Sequence, residues 1–212
     1  MAVPENIFLY RMVHWQNVEY ILQNGLCCRE HANADPNYIN IGHRQLISDR
    51  HNHPIALPNA GNLGDYVPFY FAGHSPMLYL IKNGYQGVAK RPQEDIVYLV
   101  CNFETIENSG LEYVFTDRNA KISITNFYTD KQDFEKLHWE IINSKHWKND
   151  ESNWSRQDYK QAEFLIKNYV PIEYVHAIVV KNEERKLYFE EILTKLALDI
   201  KVYVDTTSKI YY

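Results

Sequence analysis

The chain has 212 residues, enough for one domain that buries about 70% of its unfolded surface without a disulfide or metal staple. It is 45% apolar and 23% charged with a formal charge of -5; the balance excludes disordered, collagen-like and low-complexity chains, and the charge taken whole argues weakly against a nucleic-acid partner. No apolar run reaches the roughly 18 residues of a membrane span, and Met1 to Leu9 lacks a basic region followed by a long apolar core, so a soluble, cytoplasmic chain with no membrane partner is expected.

Ile7 to Tyr10 is a short apolar run that reads as a strand. Trp15, Val18, Ile21 and Leu22 follow at helical spacing, with Gly25 as the C-terminal cap. Residues 29–64 are punctuated by prolines and glycines and read as a long irregular segment, the kind that carries function. Asp65 to Phe71 reads as a strand in which Pro68 favours an edge or a bulge. Ser75-Pro76 supplies an N-cap and first-turn proline for a short helix ending at Gly84. Ile96 to Phe103 has the pattern of a buried strand, and Tyr113 to Phe115 that of a shorter one.

Phe134, Leu137, Ile141 and Ile142 mark an amphipathic helix, and the polar, tryptophan-dotted stretch 144–160 reads as a second long loop. Tyr174 to Val180 is a strand. Asn182 to Leu198 is a helix that turns Leu187, Phe189, Ile192, Leu193 and Leu196 inward, and Ile200 to Val204 is a last strand. No repeat or Gly/Ser linker divides the chain, so one domain over residues 1–212 is expected. Strands and helices mix without regular alternation, which predicts α+β rather than a doubly wound sheet.

Charge is uneven. Residues 41–93 carry Arg44, Arg50, Lys82, Lys90 and Arg91 against Asp49 and Asp65, along with His43, His51, His53 and His74. Residues 94–115 carry five acids and no Lys or Arg. A positive patch on an acidic protein and charges scattered over a solvated surface both fit these counts. The 17 tyrosines suit either core or base-stacking surfaces.

Phosphate-cradling glycine loops, a nucleophile elbow and a zinc helix are absent from the sequence. Cys27, Cys28 and Cys101 form neither a disulfide framework nor a paired zinc motif, which fits a reducing compartment. His51 and His53 lack a third ligand at a convincing spacing, so no metal is expected. Glu163, in Tyr159-Lys-Gln-Ala-Glu-Phe-Leu-Ile166, shares a face with Gln161 if the stretch is extended. A carboxylate there suits sugar transfer, holding a ribose hydroxyl and stabilising an oxocarbenium-like centre. The pattern alone favours a helix with an exposed glutamate. Arg50 is suited to a pyrophosphate or a base edge, and equally to a surface pair with Asp49.

Several segments together resemble one family. They are Leu9-Tyr-Arg-Met-Val-His-Trp-Gln-Asn-Val18, Ile39-Asn-Ile-Gly42 with Leu46-Ile-Ser-Asp-Arg50, Asp65-Tyr-Val-Pro-Phe-Tyr-Phe71 with Ser75-Pro-Met-Leu78, Phe115-Thr-Asp117, Tyr159-Lys-Gln-Ala-Glu-Phe-Leu165 and Tyr211-Tyr212. In this order, over nearly the whole chain, they are similar to the DarT-type DNA ADP-ribosyltransferase toxins of bacterial toxin–antitoxin pairs.

The resemblance implies an ADP-ribosyltransferase-like α+β fold with a split central sheet and flanking helices. It implies NAD as co-substrate, single-stranded DNA as acceptor and a macrodomain antitoxin that reverses the mark. By position in the motifs, Glu163 is the catalytic glutamate and Arg50 contacts NAD and the acceptor base. Arg11, Met12, Val13, Tyr20, Cys28 and Tyr70 take NAD-contact positions. The stretch from Thr116 to Lys160 holds the DNA, with Arg118, Tyr128, Lys160 and Gln161 as contacts. Thymine is the expected base, with guanine the alternative. A protein-modifying or NAD-hydrolysing enzyme of the same fold, and a non-enzymatic binding module, are the competing readings.

Overall fold

The computed structural model describes residues 2–42 and 44–212, apart from the side chains of Arg44 and Leu46. His43, counted above among the histidines, lies outside the described residues, as does the Arg44 side chain.

The strands are β1 (Phe8–His14), β2 (Leu26–Cys27), β3 (Tyr66–Tyr70), β4 (Ile96–Asn102), β5 (Tyr113–Thr116), β6 (Phe127–Tyr128), β7 (Glu163–Lys167), β8 (Tyr169–Val170), β9 (Val175–Val180) and β10 (Lys201–Val204). The helices are α1 (Val18–Asn24), α2 (Arg44–His51), α3 (Pro76–Asn83), α4 (Phe103–Ser109), α5 (Trp139–Ile142), α6 (Arg156–Lys160) and α7 (Glu183–Leu196). Eight strands form one sheet in the order β10-β9-β4-β1-β3-β7-β5-β6, and β2 pairs with β8 beside it. In the large sheet only β10 runs parallel to its neighbour, β9, because α7 carries the chain across between them.

The sheet is split at its centre. β1 pairs with β4 along seven positions, yet meets β3 only at Tyr10↔Tyr70. Beyond that point the two strands part, and the Arg11 guanidinium bridges the gap by donating to the Pro68 carbonyl at 3.1 Å. The split also explains Pro68. It sits inside the sheet rather than at an edge or bulge, and β1 has already diverged where a ladder N–H would otherwise be needed.

Cores lie on both faces. Leu9, Val13, Phe69, Leu99, Phe164 and Ile166 pack with Ile21 of α1 and Phe189 and Ile192 of α7. Met12, Tyr98 and Val100 pack on the other side with Leu78 and Ile81 of α3 and with Tyr211. Each large apolar side chain buried this way contributes roughly 1.5–3 kcal/mol.

The caps follow the sequence. Gly25 and Gly84 end their helices at positive φ, and the Ser75 hydroxyl accepts from Leu78 N. Four expectations need correction. The segment 29–64 contains α2, which the mixed Arg-Gln-Leu-Ile-Ser-Asp-Arg-His run does not announce. The amphipathic helix expected at 134–142 is a 3-10 stretch, Lys131–Lys136, followed by the single turn of α5. The loop 144–160 ends in α6. Leu187 is 64% exposed, so α7 packs through Phe189, Ile192 and Leu193.

Candidate active site

Glu163 opens β7, directly opposite Tyr70 of β3. The pattern favoured a helix here, yet the helix is only α6, which stops at Lys160. From Glu163 the strand is buried on both faces, with Phe164 and Ile166 in one core and Leu165 in another. A strand covered on both sides reads as a continuous apolar run and conceals its period of two.

The Glu163 side chain is 4% exposed and faces Arg50. Arg50 Nη1 donates to Oε1 at 3.0 Å and Nη2 to Oε2 at 2.5 Å, a bidentate pair. The backbone N–H of Ala120 adds a third bond, to Oε1, at 3.0 Å. Asp49, the alternative partner for Arg50, instead accepts from Gln45 and lies 3.8 Å from Lys121. Burial alone would lower the Arg50 pKa, but the facing carboxylate more than offsets it, so the guanidinium stays cationic. Tyr70 lies against the pair. Burial first, and then the Glu163 charge, push its phenol up to about 12, so it remains a protonated donor at neutral pH.

The pair sits in a cleft of about 1260 Å³, beyond the roughly 300–1,000 Å³ of a drug-sized pocket and suited to a dinucleotide beside a second substrate. Arg11, Arg29, Arg50, Arg91 and Lys121 line it against Asp35, Asp158 and Glu163. The chain is acidic overall, yet this concavity is cationic, as an anionic ligand requires. Arg11 and Arg91 each keep a buried Nε with no partner among the described residues. Met12, Ile41 and Met77 give apolar lining beside these cations. Cationic side chains next to apolar surface fit the pyrophosphate and rings of NAD.

Among the residues expected to form the site, Arg11, Met12, Tyr20, Cys28, Arg50, Tyr70, Gln161 and Glu163 all line this cleft. Arg11 and Met12 do so together, although they alternate along β1, because the cleft opens where the sheet splits. Gln161 is fixed by Asn119, which donates to its Oε1, and by its own bond to the Gln157 carbonyl.

The other four residues do not reach the cleft. The Val13 side chain is fully buried in the core with Leu9 and Val97. Lys160 turns inward and donates to the carbonyls of Ile142 and Ser144, and burial lowers its pKa to about 8. Arg118 is buried, paired with Asp117 and laid over the Tyr159 ring. Tyr128 is on the short edge strand β6, against Phe115 and under Lys136. Each of these side chains is held by structural partners and does not line the cleft. Sequence reasoning missed Arg91, Asn119, Lys121 and the Ala120 N–H, all of which reach the cleft or the carboxylate. Arg91 was counted in the 41–93 cluster, and that cluster was the available signal.

The split sheet and the carboxylate–guanidinium pair in a cationic cleft match the ADP-ribosyltransferase-like fold and site that the resemblance implies, a class of group-transferases. A family model described as "ssDNA thymidine ADP-ribosyltransferase, DarT" matches residues 10–212. The DNA ADP-ribosyl transferase of Escherichia coli O127:H6 (strain E2348/69 / EPEC) is 36% identical over 200 residues, covering 94% of this chain and 92% of that one. Thermus sp. 2.9 DarT in complex with ADP-ribosylated ssDNA matches with a TM-score of 0.88 at 29% identity, over 100% of this chain and 99% of that one. The same Thermus protein in complex with NAD+ matches with a TM-score of 0.80 at 30% identity, over the whole of both chains. The chain belongs to the DarT family, and with it to the NAD-dependent DNA ADP-ribosyltransferases. No described helix is long and apolar enough to cross a membrane.

Proposed function

We propose that the chain transfers ADP-ribose from NAD to thymine in single-stranded DNA, in the cytoplasm, as the toxin of a toxin–antitoxin pair. Its antitoxin is a macrodomain protein that removes the mark. The observation that carries the chemistry is the Glu163–Arg50 pair at the floor of the cationic cleft. NAD supplies the ADP-ribosyl group, and nicotinamide leaves with the electrons of the broken glycosidic bond.

Glu163 opposes the positive charge that develops on the ribose as that bond breaks, an effect worth several kcal/mol in a water-poor site. Thymine must lose its one ring N–H proton to attack. Arg50 is a permanent cation and stabilises the resulting base anion rather than taking the proton, which passes to solvent water, so that NAD+ and thymine give ADP-ribosyl-thymine, nicotinamide and H+. Met12 and Tyr70 flank the nicotinamide side, while Tyr20 and Cys28 contact the remainder of the dinucleotide. Arg11 and Arg91 bring cationic guanidinium groups to its phosphates. On the DNA side the account rests on Gln161, Asn119, Lys121 and Ile122, with exposed Ile124 and Trp154 near them in sequence. Toxin role and antitoxin rest on family membership.

The test uses two single-stranded oligonucleotides, one with a single thymine and no guanine, the other with a single guanine and no thymine. With NAD present, mass spectrometry is expected to find one ADP-ribose on the thymine strand alone. A mass gain on the guanine strand overturns the choice of base. Label on protein, or only free ADP-ribose, overturns the DNA reading.

A further inference from the structure

The Phe115-Thr116-Asp117 motif lies outside the cleft lining, and nothing in the reaction uses it directly. Its hydrogen bonds nevertheless converge on Glu163. Thr116 ends β5, and its fully buried hydroxyl sits beside the start of β7. The hydroxyl oxygen accepts from Glu163 N at 2.9 Å, and its proton goes to the Arg118 carbonyl at 2.7 Å. One side chain thus ties the backbone of Glu163 to the turn that follows β5. Asp117 closes that turn from within: its carboxylate accepts from Asn126 N at 3.1 Å, from Asn126 Nδ2 at 2.9 Å and from Arg118 Nε at 3.2 Å. The closed turn carries Ala120, wholly buried, whose N–H reaches Glu163 Oε1.

We infer that Thr116 is a positioning residue for the reaction, holding the Glu163 carboxylate at a fixed angle through the 117–126 turn and the Ala120 N–H. The inference rests on Glu163 being the reacting carboxylate. Two kinds of donor meet that carboxylate. Arg50 comes from a helix 113 residues away and must also serve the incoming base. Ala120 comes from a turn pinned to the same strand end as Glu163 itself. When Arg50 turns to substrate, the Ala120 bond remains and leaves Oε2 aimed into the cleft. A displacement of about 1 Å in such a group lowers a rate about a hundredfold.

The test compares Thr116→Val, which removes the hydroxyl at nearly constant volume, with Thr116→Ser, which restores it. Glu163→Gln is run in the same assay. Thr116→Val is expected to lower kcat about a hundredfold while KM for NAD moves less than about threefold, and Thr116→Ser is expected to recover most of the loss. A folded Thr116→Val with near wild-type kcat overturns the inference. So does a loss that appears only in KM, or one that serine does not rescue. Should the valine variant fail to fold, Asn126→Ala loosens the turn at its exposed end by removing the Nδ2 bond to Asp117. It is expected to lower kcat with KM for NAD unchanged, and an unchanged kcat overturns the inference. An active Glu163→Gln instead marks failure of the assignment of Glu163, separately from that of Thr116.

Discussion

The two walls that present Glu163 and Arg50 are built in opposite ways. Glu163 stands on an interior strand, paired on one side with β3 and on the other with β5, with its backbone and carboxylate both hydrogen-bonded to the 116–120 segment. Arg50 stands near the end of an eight-residue helix within a long irregular stretch. That helix rests on the 3-10 turn Leu63–Asp65, where Gly64 lies so close to His51 that a Cβ would collide with its backbone. Beyond this seat, its ties to the Glu163 wall among the described residues are the Arg50–Glu163 pair and the looser Lys121–Asp49 contact. One wall is fixed by the sheet, and the other meets it, among the described residues, through the charge it faces. A transferase that must admit two substrates gains from this arrangement: the group that meets the developing cation stays put, and the group that meets the base can adjust.

Removing the adjustable partner should have the largest effect. Arg50→Ala is expected to lower transfer about a hundredfold or more, while NAD still binds, as measured by calorimetry beside initial rates. Equal rates would return Arg50 to a surface role. On the DNA side, pairing the target thymine hides the ring nitrogen. Extracting it from a duplex costs a few kcal/mol, so annealing the strand should slow transfer roughly a hundredfold. Comparable rates on both forms would mean active base flipping or an acceptor atom outside the pairing edge.

A third expectation separates the fold from both walls. His74 is buried against the Tyr212 ring, and burial, with Lys160 and Lys145 nearby, lowers its pKa to about 4. The unfolded chain binds this proton near pH 6.5, so the native state is favoured above that value and loses stability as pH falls through 4. The loss is to be read from denaturant melts across this range. Parallel pH curves for wild type and His74→Gln would contradict it. The smallest effect belongs to the exposed link between the walls. Asp49→Asn should change the rate by less than about fivefold, because a solvated pair contributes at most ~1 kcal/mol. A larger loss would mean that the Arg50 wall depends on this contact.

The same contrast governs how much the sequence reveals. β4, α3 and β9 were legible because one periodicity, or one cap such as Ser75-Pro76, decided each of them locally. β7 was not, since a strand buried on both faces and preceded by a helical turn looks like a continuing helix. α2 escaped because its run has no apolar face to betray it. The cleft residues on β1 and β3, with Glu163 and Arg50, were reached by motif resemblance. Their pairing spans 113 positions and leaves no local trace. The burial of Lys160 and Arg118 was not legible for a converse reason. Cations near a proposed DNA site are expected to be solvent-facing, whereas these two are buried on carbonyls and on Asp117.

The central claim is that Glu163 acts on the transition state and not on substrate binding. It is tested most directly by measuring NAD affinity and transfer to a single-stranded thymine oligonucleotide in the same preparation of Glu163→Gln. The account predicts that NAD binds within about threefold of wild type while transfer falls below roughly 1%. A variant that transfers at a comparable rate, or whose whole loss is explained by weaker NAD binding, would contradict it.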